Sequence, residues 1–169
     1  YHGAASLVAT GADADIEYDG VGGTGGVYYT TGIDFKALIT DEDNFSVGLY
    51  SQENNDVGTN FGSSDGTNVV SIACKSGGNA VFKAGTVTIT GAVTTGQGHF
   101  ILNVSSGNVR GYQGVSRSLT ELGTATATAG ILPAEPAFLC AYNSTTTPTD
   151  KSTKRISCLW VYDGELDVD

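Results

Sequence analysis

Positive charge is what this chain has least of: eight Lys and Arg stand against 18 Asp and Glu, a net charge of −10 over 169 residues. Proteins that hold a phosphate backbone neutralise it with Lys and Arg, so nucleic acid is not an expected partner. The densest basic run, "KSTKR" (151–155), reads as a solvated hairpin loop. Histidine is nearly as scarce, with only His2 and His99, and no Ser or Cys sits in a G-x-S-x-G setting. Nucleophilic catalysis of the triad type is therefore not expected. Cys74, Cys140 and Cys158 lie too far apart for a zinc set, and an odd number of cysteines leaves at least one unpaired. Small buried thiols are the favoured reading, with Cys140 facing Cys158 across a hairpin as the alternative. No apolar run approaches the ~20 residues of a spanning helix, and no basic-then-apolar leader opens the sequence. Membrane insertion is not expected. Methionine is absent and proline appears only three times.

Glycine, by contrast, occurs 24 times, and β-branched and aromatic residues fall in short runs between Gly, Asn, Asp and Ser. That is the pattern of an all-β domain with many turns. Strict alternation places Phe45, Val47 and Leu49 on one face of 44–51, Val87, Ile89 and Val93 on one face of 85–93, and Phe100, Leu102 and Val104 on one face of 98–107. Further strands are expected at 5–10, 14–19, 26–31, 69–75, 79–84, 108–113, 124–128, 137–142 and 155–162. Short helical turns are expected near 34–39 and 118–122. In "RISCLWVYDGEL" (155–166), alternation groups Ile156, Cys158, Trp160 and Tyr162 on one face, with Trp160 expected in the core. A dozen short strands without a compositional break predict one all-β domain, 1–169, folded as a two-sheet antiparallel β-sandwich or as a barrel.

The segments "TTGIDFKALITDEDNFSVGLYSQ" (30–52), "GHFILNVSSGNVRGYQGV" (98–115), "PAFLCAYNSTTTP" (136–148) and "ISCLWVYDGELD" (156–167), in that order, carry a family likeness. The chain resembles a concanavalin A-like, laminin-G-like jelly roll of the kind found in bacteriophage structural and fibre proteins. Gly98-His99-Phe100 and the later Tyr112 match the family's hairpin pattern, while Gln113-Gly114 departs from its usual Asn-Gly. The resemblance implies two antiparallel sheets, adjacent termini and a final strand near the first. Its members include glycan-binding lectins, Ca²⁺-dependent receptor modules, glycan-cleaving enzymes and inert virion parts, so one fold hosts several roles.

Among candidate sites, "DGVGGTGG" holds a literal G-x-G-x-x-G at Gly20, Gly22 and Gly25, but "VYYTTG" after it reads as a strand where a dinucleotide site needs a helix. A hairpin loop is the expectation there. In "DADIEYD" (13–19), Asp13, Asp15, Glu17 and Asp19 recur with period two. Carboxylates spaced along one strand suit a retaining glycosidase, Ca²⁺ at Asp13, Asp15 and Glu17, or a charged edge that discourages strand addition. "DEDN" (41–44), "ENND" (53–56) and "DGELDVD" (163–169) add further oxygen donors for Ca²⁺. Glycan recognition asks for aromatic faces beside hydroxyl-binding amides, which nominates Tyr50, Tyr112, Tyr142 and Asn143 on an outward face or rim. The expected role is that of a non-enzymatic, lectin-like adhesion or decoration protein of a virion surface or fibre. Its partners would be other virion proteins, copies of itself and host-surface glycans. The alternatives are a jelly-roll enzyme working through Asp15 and Glu17, and a purely structural assembly module.

Overall fold

Along 44–51 and 98–105 the side that faces inward is the one marked by the alternation already visible in the chain. The structure, a computed structural model, describes residues 8–10, 14–17, 20–23, 28–55, 58–127, 130–145, 147–149, 152 and 155–167. In chain order the elements are β1 (Val8–Thr10), β2 (Ala14–Glu17), β3 (Gly20–Gly23), β4 (Tyr28–Thr30), α1 (Phe35–Leu38), β5 (Asn44–Ser51), β6 (Phe61–Ser64), β7 (Val69–Ser76) and β8 (Asn79–Gly85). They continue as β9 (Val87–Ala92), β10 (Gly98–Ser105), β11 (Asn108–Val115), β12 (Ser118–Thr126), β13 (Phe138–Leu139), β14 (Tyr142–Ser144), β15 (Thr147–Thr149) and β16 (Ile156–Tyr162). One sheet runs β1-β4-β13-β6-β7-β8-β9, with β14 beside β6 and β15 beside β14. The other runs β12-β11-β10-β5-β16-β3-β2. Apart from the short parallel contact of β14 with β6, the pairings are antiparallel. The all-β jelly-roll sandwich expected from the sequence is the fold.

Phe45, Val47, Leu49, Phe100, Leu102, Val104 and Val109 of one sheet are buried against Phe61, Val70, Ile72, Phe82 and Ala84 of the other. The sheets close on each other where β9 meets β12: a Cβ on Gly91 would lie 2.5 Å from Leu122, and one on Gly123 would lie 2.8 Å from Ile89. The helical turn at 34–39 forms as α1, capped by the Asp34 carboxylate, which accepts from the amides of Lys36 and Ala37.

Four expectations are corrected. Residues 118–122 form part of β12 rather than a helical turn, because their backbone pairs with β11 through the register Gly114↔Leu119 and Tyr112↔Glu121. Part of the glycine-rich run is strand and not loop: Gly20–Gly23 forms β3, pairing with β2 and, at Val21, with β16. The strand expected at 137–142 is broken in two by Cys140, whose φ of 62° lies in the left-handed region. In β16 a register shift between Ile156 and Cys158 inverts the facing downstream. Ile156 therefore points inward, and beyond the bulge it is Leu159 and Val161 that pack on the core. Trp160 is only partly buried, on the outer side, and its indole lies across Gly48 of β5, where an added Cβ would come within 2.2 Å of the ring. An aromatic covering a strand glycine restores packing the glycine cannot supply.

The thiols also divide differently from the expectation. Cys74 and Cys140 are buried and Cys158 is exposed, none of them in a disulfide, with Cys158 opposite Tyr50 rather than Cys140. Burial, then the nearby Glu53 charge, pushes the Cys140 thiol up to about 12 from an ordinary 9.0. A thiol whose folded value is raised stabilises the native state below about pH 9 and loses that contribution as pH climbs towards 12. In native protein at pH 8, a thiol-reactive chromophore should titrate one cysteine, Cys158, and reach the others only through the urea transition. Urea unfolding at pH 8 and pH 10.5 should show a loss of stability that Cys140→Ala diminishes. More than one rapidly reacting thiol in the folded protein would contradict this placement.

Candidate functional site

The outer face of the β12-to-β2 sheet is a lattice of three rows set by the strand registers. Cys158, Tyr50, His99, Gly114 and Leu119 form one row. Trp160, Gly48, Ile101, Tyr112 and Glu121 form the next, and Tyr162, Ser46, Asn103, Arg110 and Thr124 the third. In the third row Ser46 and Asn103 are buried beneath the chain after β16, while Tyr162, Arg110 and Thr124 stay exposed. Asn103 holds that segment as one strand holds another: its Nδ2 donates to the Leu166 carbonyl at 3.1 Å, and its Oδ1 accepts from the Leu166 amide at 2.9 Å. Ser46 Oγ donates to the Gly164 carbonyl at 3.2 Å, and Ser105 donates to Glu165. Asp163 accepts from the Thr40 amide at 2.9 Å and hydroxyl at 2.7 Å, bonds that hold its carboxyl below the usual range.

The first row is left open. There the sheet forms a groove of about 550 Å³ between Tyr50, His99 and Ile101 on one side and the β11–β12 turn, Val115 to Leu119, on the other. The Tyr50 and His99 rings meet edge to face, with centroids 4.8 Å apart and planes at 67°. Val115 and Leu119 are 37% and 42% exposed, two of the three large apolar side chains left in solvent among the described residues. The floor is braced from below. Gln113 Nε2 donates to the Thr95 carbonyl at 2.7 Å, Gln97 Nε2 to the Gln52 carbonyl at 2.6 Å, and the Gly96 amide to Asn54 Oδ1 at 2.7 Å. The Gln113 that departs from the family pattern is thus the post on which the 95–97 loop rests. Gly98 is required where β10 starts, since φ is +115° and a Cβ would sit 2.3 Å from the Gly114 carbonyl oxygen.

The nominated residues are dispersed. Tyr50 lines the groove. Tyr112 lies one row away and is 4% exposed, buried rather than on a rim. Asn143 belongs to the other sheet and is 1% exposed; its Nδ2 donates to the Pro136 carbonyl at 2.8 Å, and its Oδ1 has no hydrogen-bond partner. Tyr142 stands beside it on β14, its side chain outside the described residues. Asp13 lies outside the described residues, and Asp15 and Glu17 fall on β2, in register with Gly22 and Gly20. Four strand steps at ~4.8 Å separate β2 from β10, about 19 Å across the sheet from the groove.

Among the described residues no group of three or more His, Cys, Asp or Glu is arranged to hold a metal. The acidic loops bind the chain's own donors instead. Asp41 accepts from the Asp43 amide and the Asn44 side chain, Glu42 from the amides of Gly130 and Ile131, and Glu53 from Asn55. His99, Val115, Arg117 and Leu119 are the groove residues that sequence reasoning passed over. The available signal was the pair of apolar residues flanking a polar turn in "VSRSL".

No protein-family model matches the chain, and no curated protein matches it by sequence. Solved structures do match in fold. The binding domain of botulinum neurotoxin DC, solved in complex with rat synaptotagmin II, is similar with a TM-score of 0.60 at 12% identity, over 96% of this chain and 44% of that one. A Trypanosoma rangeli sialidase mutant displaying trans-sialidase activity gives 0.59 at 13% identity, over 95% of this chain and 28% of that one. A Shewanella oneidensis protein of unknown function gives 0.51 at 16%, over 97% and 80%. The chain thus spans less than half the length of the toxin domain and the sialidase, and what it shares with all three is the β-sandwich.

Proposed function

We propose that this chain is a non-enzymatic, lectin-like adhesion module of a virion surface or fibre, and that it holds host-surface glycans in the groove beside Tyr50. The observation that carries the reading is the open groove itself. An aromatic pair and exposed apolar side chains are offered there beside hydroxyl and amide groups, the mixture that sugars with one apolar and one polar face require. A shallow site of this kind binds weakly, and a surface appendage compensates by presenting many copies in a symmetric assembly with itself and with other virion proteins. The rival reading, a glycan-cleaving enzyme, relies on Asp15 and Glu17, which lie at the far edge of the sheet from the groove.

A glycan array followed by titration of the hits tests the proposal. Tyr50→Ala should weaken a hit about tenfold, the worth of one aromatic contact of ~1.4 kcal/mol, without altering the melting curve. Binding indifferent to Tyr50, or an array without hits, would overturn it in favour of an assembly module. Release of reducing ends from a polysaccharide panel, lost in Glu17→Gln, would favour the enzyme.

A further inference from the structure

The groove differs in charge from the chain that builds it. Asp and Glu outnumber Lys and Arg by 18 to 8 overall, yet among the described residues no carboxylate lines the groove, and the one permanent cation lining it is Arg117. On that face Glu121 stands one row away. Arg117 is exposed and has no hydrogen-bond or ion-pair partner among the described residues, so its five donors are available to a ligand.

The turn that carries it is built against backbone preference. Both central residues, Ser116 and Arg117, are left-handed, at φ 50° and 68°. The β7–β8 hairpin meets the same demand with Gly77 and Gly78, at φ 58° and 78°. A two-residue hairpin of this hand favours glycine, asparagine or aspartate. In a glycine-rich chain, a serine and an arginine at this turn are the costlier solution, and strained residues of this sort gather at ligand sites. What the strain secures is a guanidinium at the groove's edge, between Val115 and Leu119. Apolar neighbours reduce the screening of its charge.

We infer, building on the glycan reading above, that the groove takes an acidic sugar, with Arg117 gripping its carboxylate and the Tyr50–His99 pair meeting the apolar side of the ring. A planar guanidinium matches a planar carboxylate through two parallel hydrogen bonds, and a single unpaired Arg suits a single negative group. Hexuronates and nonulosonates both supply that chemistry.

Two matched pairs of probes distinguish the sources: trigalacturonate against its methyl ester, and 3′-sialyllactose against lactose, each titrated calorimetrically. The acid of at least one pair should bind tenfold or more tightly than its uncharged counterpart. Arg117→Gln should erase that ratio, Arg117→Lys should restore part of it, and Tyr50→Ala should weaken the acid and its counterpart alike. If acid and counterpart bind equally, or if Arg117→Gln leaves the ratio intact while Tyr50→Ala still weakens binding, the inference fails and the glycan reading stands. Sulfated sugars binding through Arg117 where carboxylated ones do not would also overturn it. If no glycan of any charge depends on Tyr50, both fall together.

Discussion

Gly111→Val should destabilise the domain by about 2–3 kcal/mol, and trimming Phe82 to Ala in the same chain should recover a large part of what the two changes cost separately. Gly111 sits on the inward side of β11, where an ideal Cβ would lie 2.4 Å from Phe82 Cδ2, 2.7 Å from Cε2 and 2.9 Å from Cγ. The ring is fully buried in the opposite sheet, so it has nowhere to retreat. A side chain larger than hydrogen forces the sheets apart or Phe82 off its rotamer. Phe82→Ala alone removes the obstacle and leaves a cavity, at about 3–5 kcal/mol. In the double variant the valine enters that cavity, so the costs should fall short of additivity by 1–3 kcal/mol. Urea unfolding with an unchanged denaturant slope is the measurement. Additivity within about 0.5 kcal/mol would mean that Gly111 and Phe82 do not meet across the sandwich.

The same packing shows why the core was legible before the structure. Phe45, Val47 and Leu49, and Phe100, Leu102 and Val104, alternate without interruption, and each is fully buried. Period-two patterning fails where the backbone itself departs from the strand. The bulge after Ile156 turned Trp160 outward, and a left-handed Cys140 split a strand, yet neither leaves a trace in hydrophobicity. The "SLTEL" stretch pairs two leucines at a helical spacing, and its pairing to β11 overrides that local preference. The site was harder still to read. Tyr50 was visible as an outward aromatic on an alternating strand. Nothing local could indicate that residues 163–167 cover one end of that face and leave the other open. Nor could it indicate that Arg117, 67 positions along the chain, would share a groove with Tyr50.

Irregular backbone also needs its hydrogen bonds met, and the second large effect is expected there, at Asn60. In β7 the register breaks between Ala73 and Ser76, where the Cys74 amide donates at 2.7 Å to Asn60 Oδ1. The same side chain donates through Nδ2 to Ser152 Oγ at 2.8 Å. Its backbone amide donates to the Ile72 carbonyl at 2.9 Å, and its carbonyl accepts from Cys140 at 2.8 Å. The Cys140 carbonyl in turn accepts from the Ser152 amide, also at 2.8 Å. One fully buried asparagine therefore ties the ends of the β13-β6-β7 ladder to one another and to Ser152. Asn60→Ala keeps the backbone bonds and removes two buried side-chain hydrogen bonds, those to the Cys74 amide and the Ser152 hydroxyl, at about 1–3 kcal/mol each. A total loss of about 3–5 kcal/mol in urea unfolding is expected, against the 5–15 kcal/mol that holds a domain together. Ser152→Ala should cost only about 1 kcal/mol, because it leaves the Cys74 amide bonded and strands Nδ2 alone. The asymmetry matters more than either number. If the two variants cost the same, Asn60 serves only Ser152, and the bulge in β7 must be stabilised by something other than Oδ1. If Asn60→Ala costs much more, and the Cys74 thiol then reacts in native protein, the break in β7 is held closed by that one side chain.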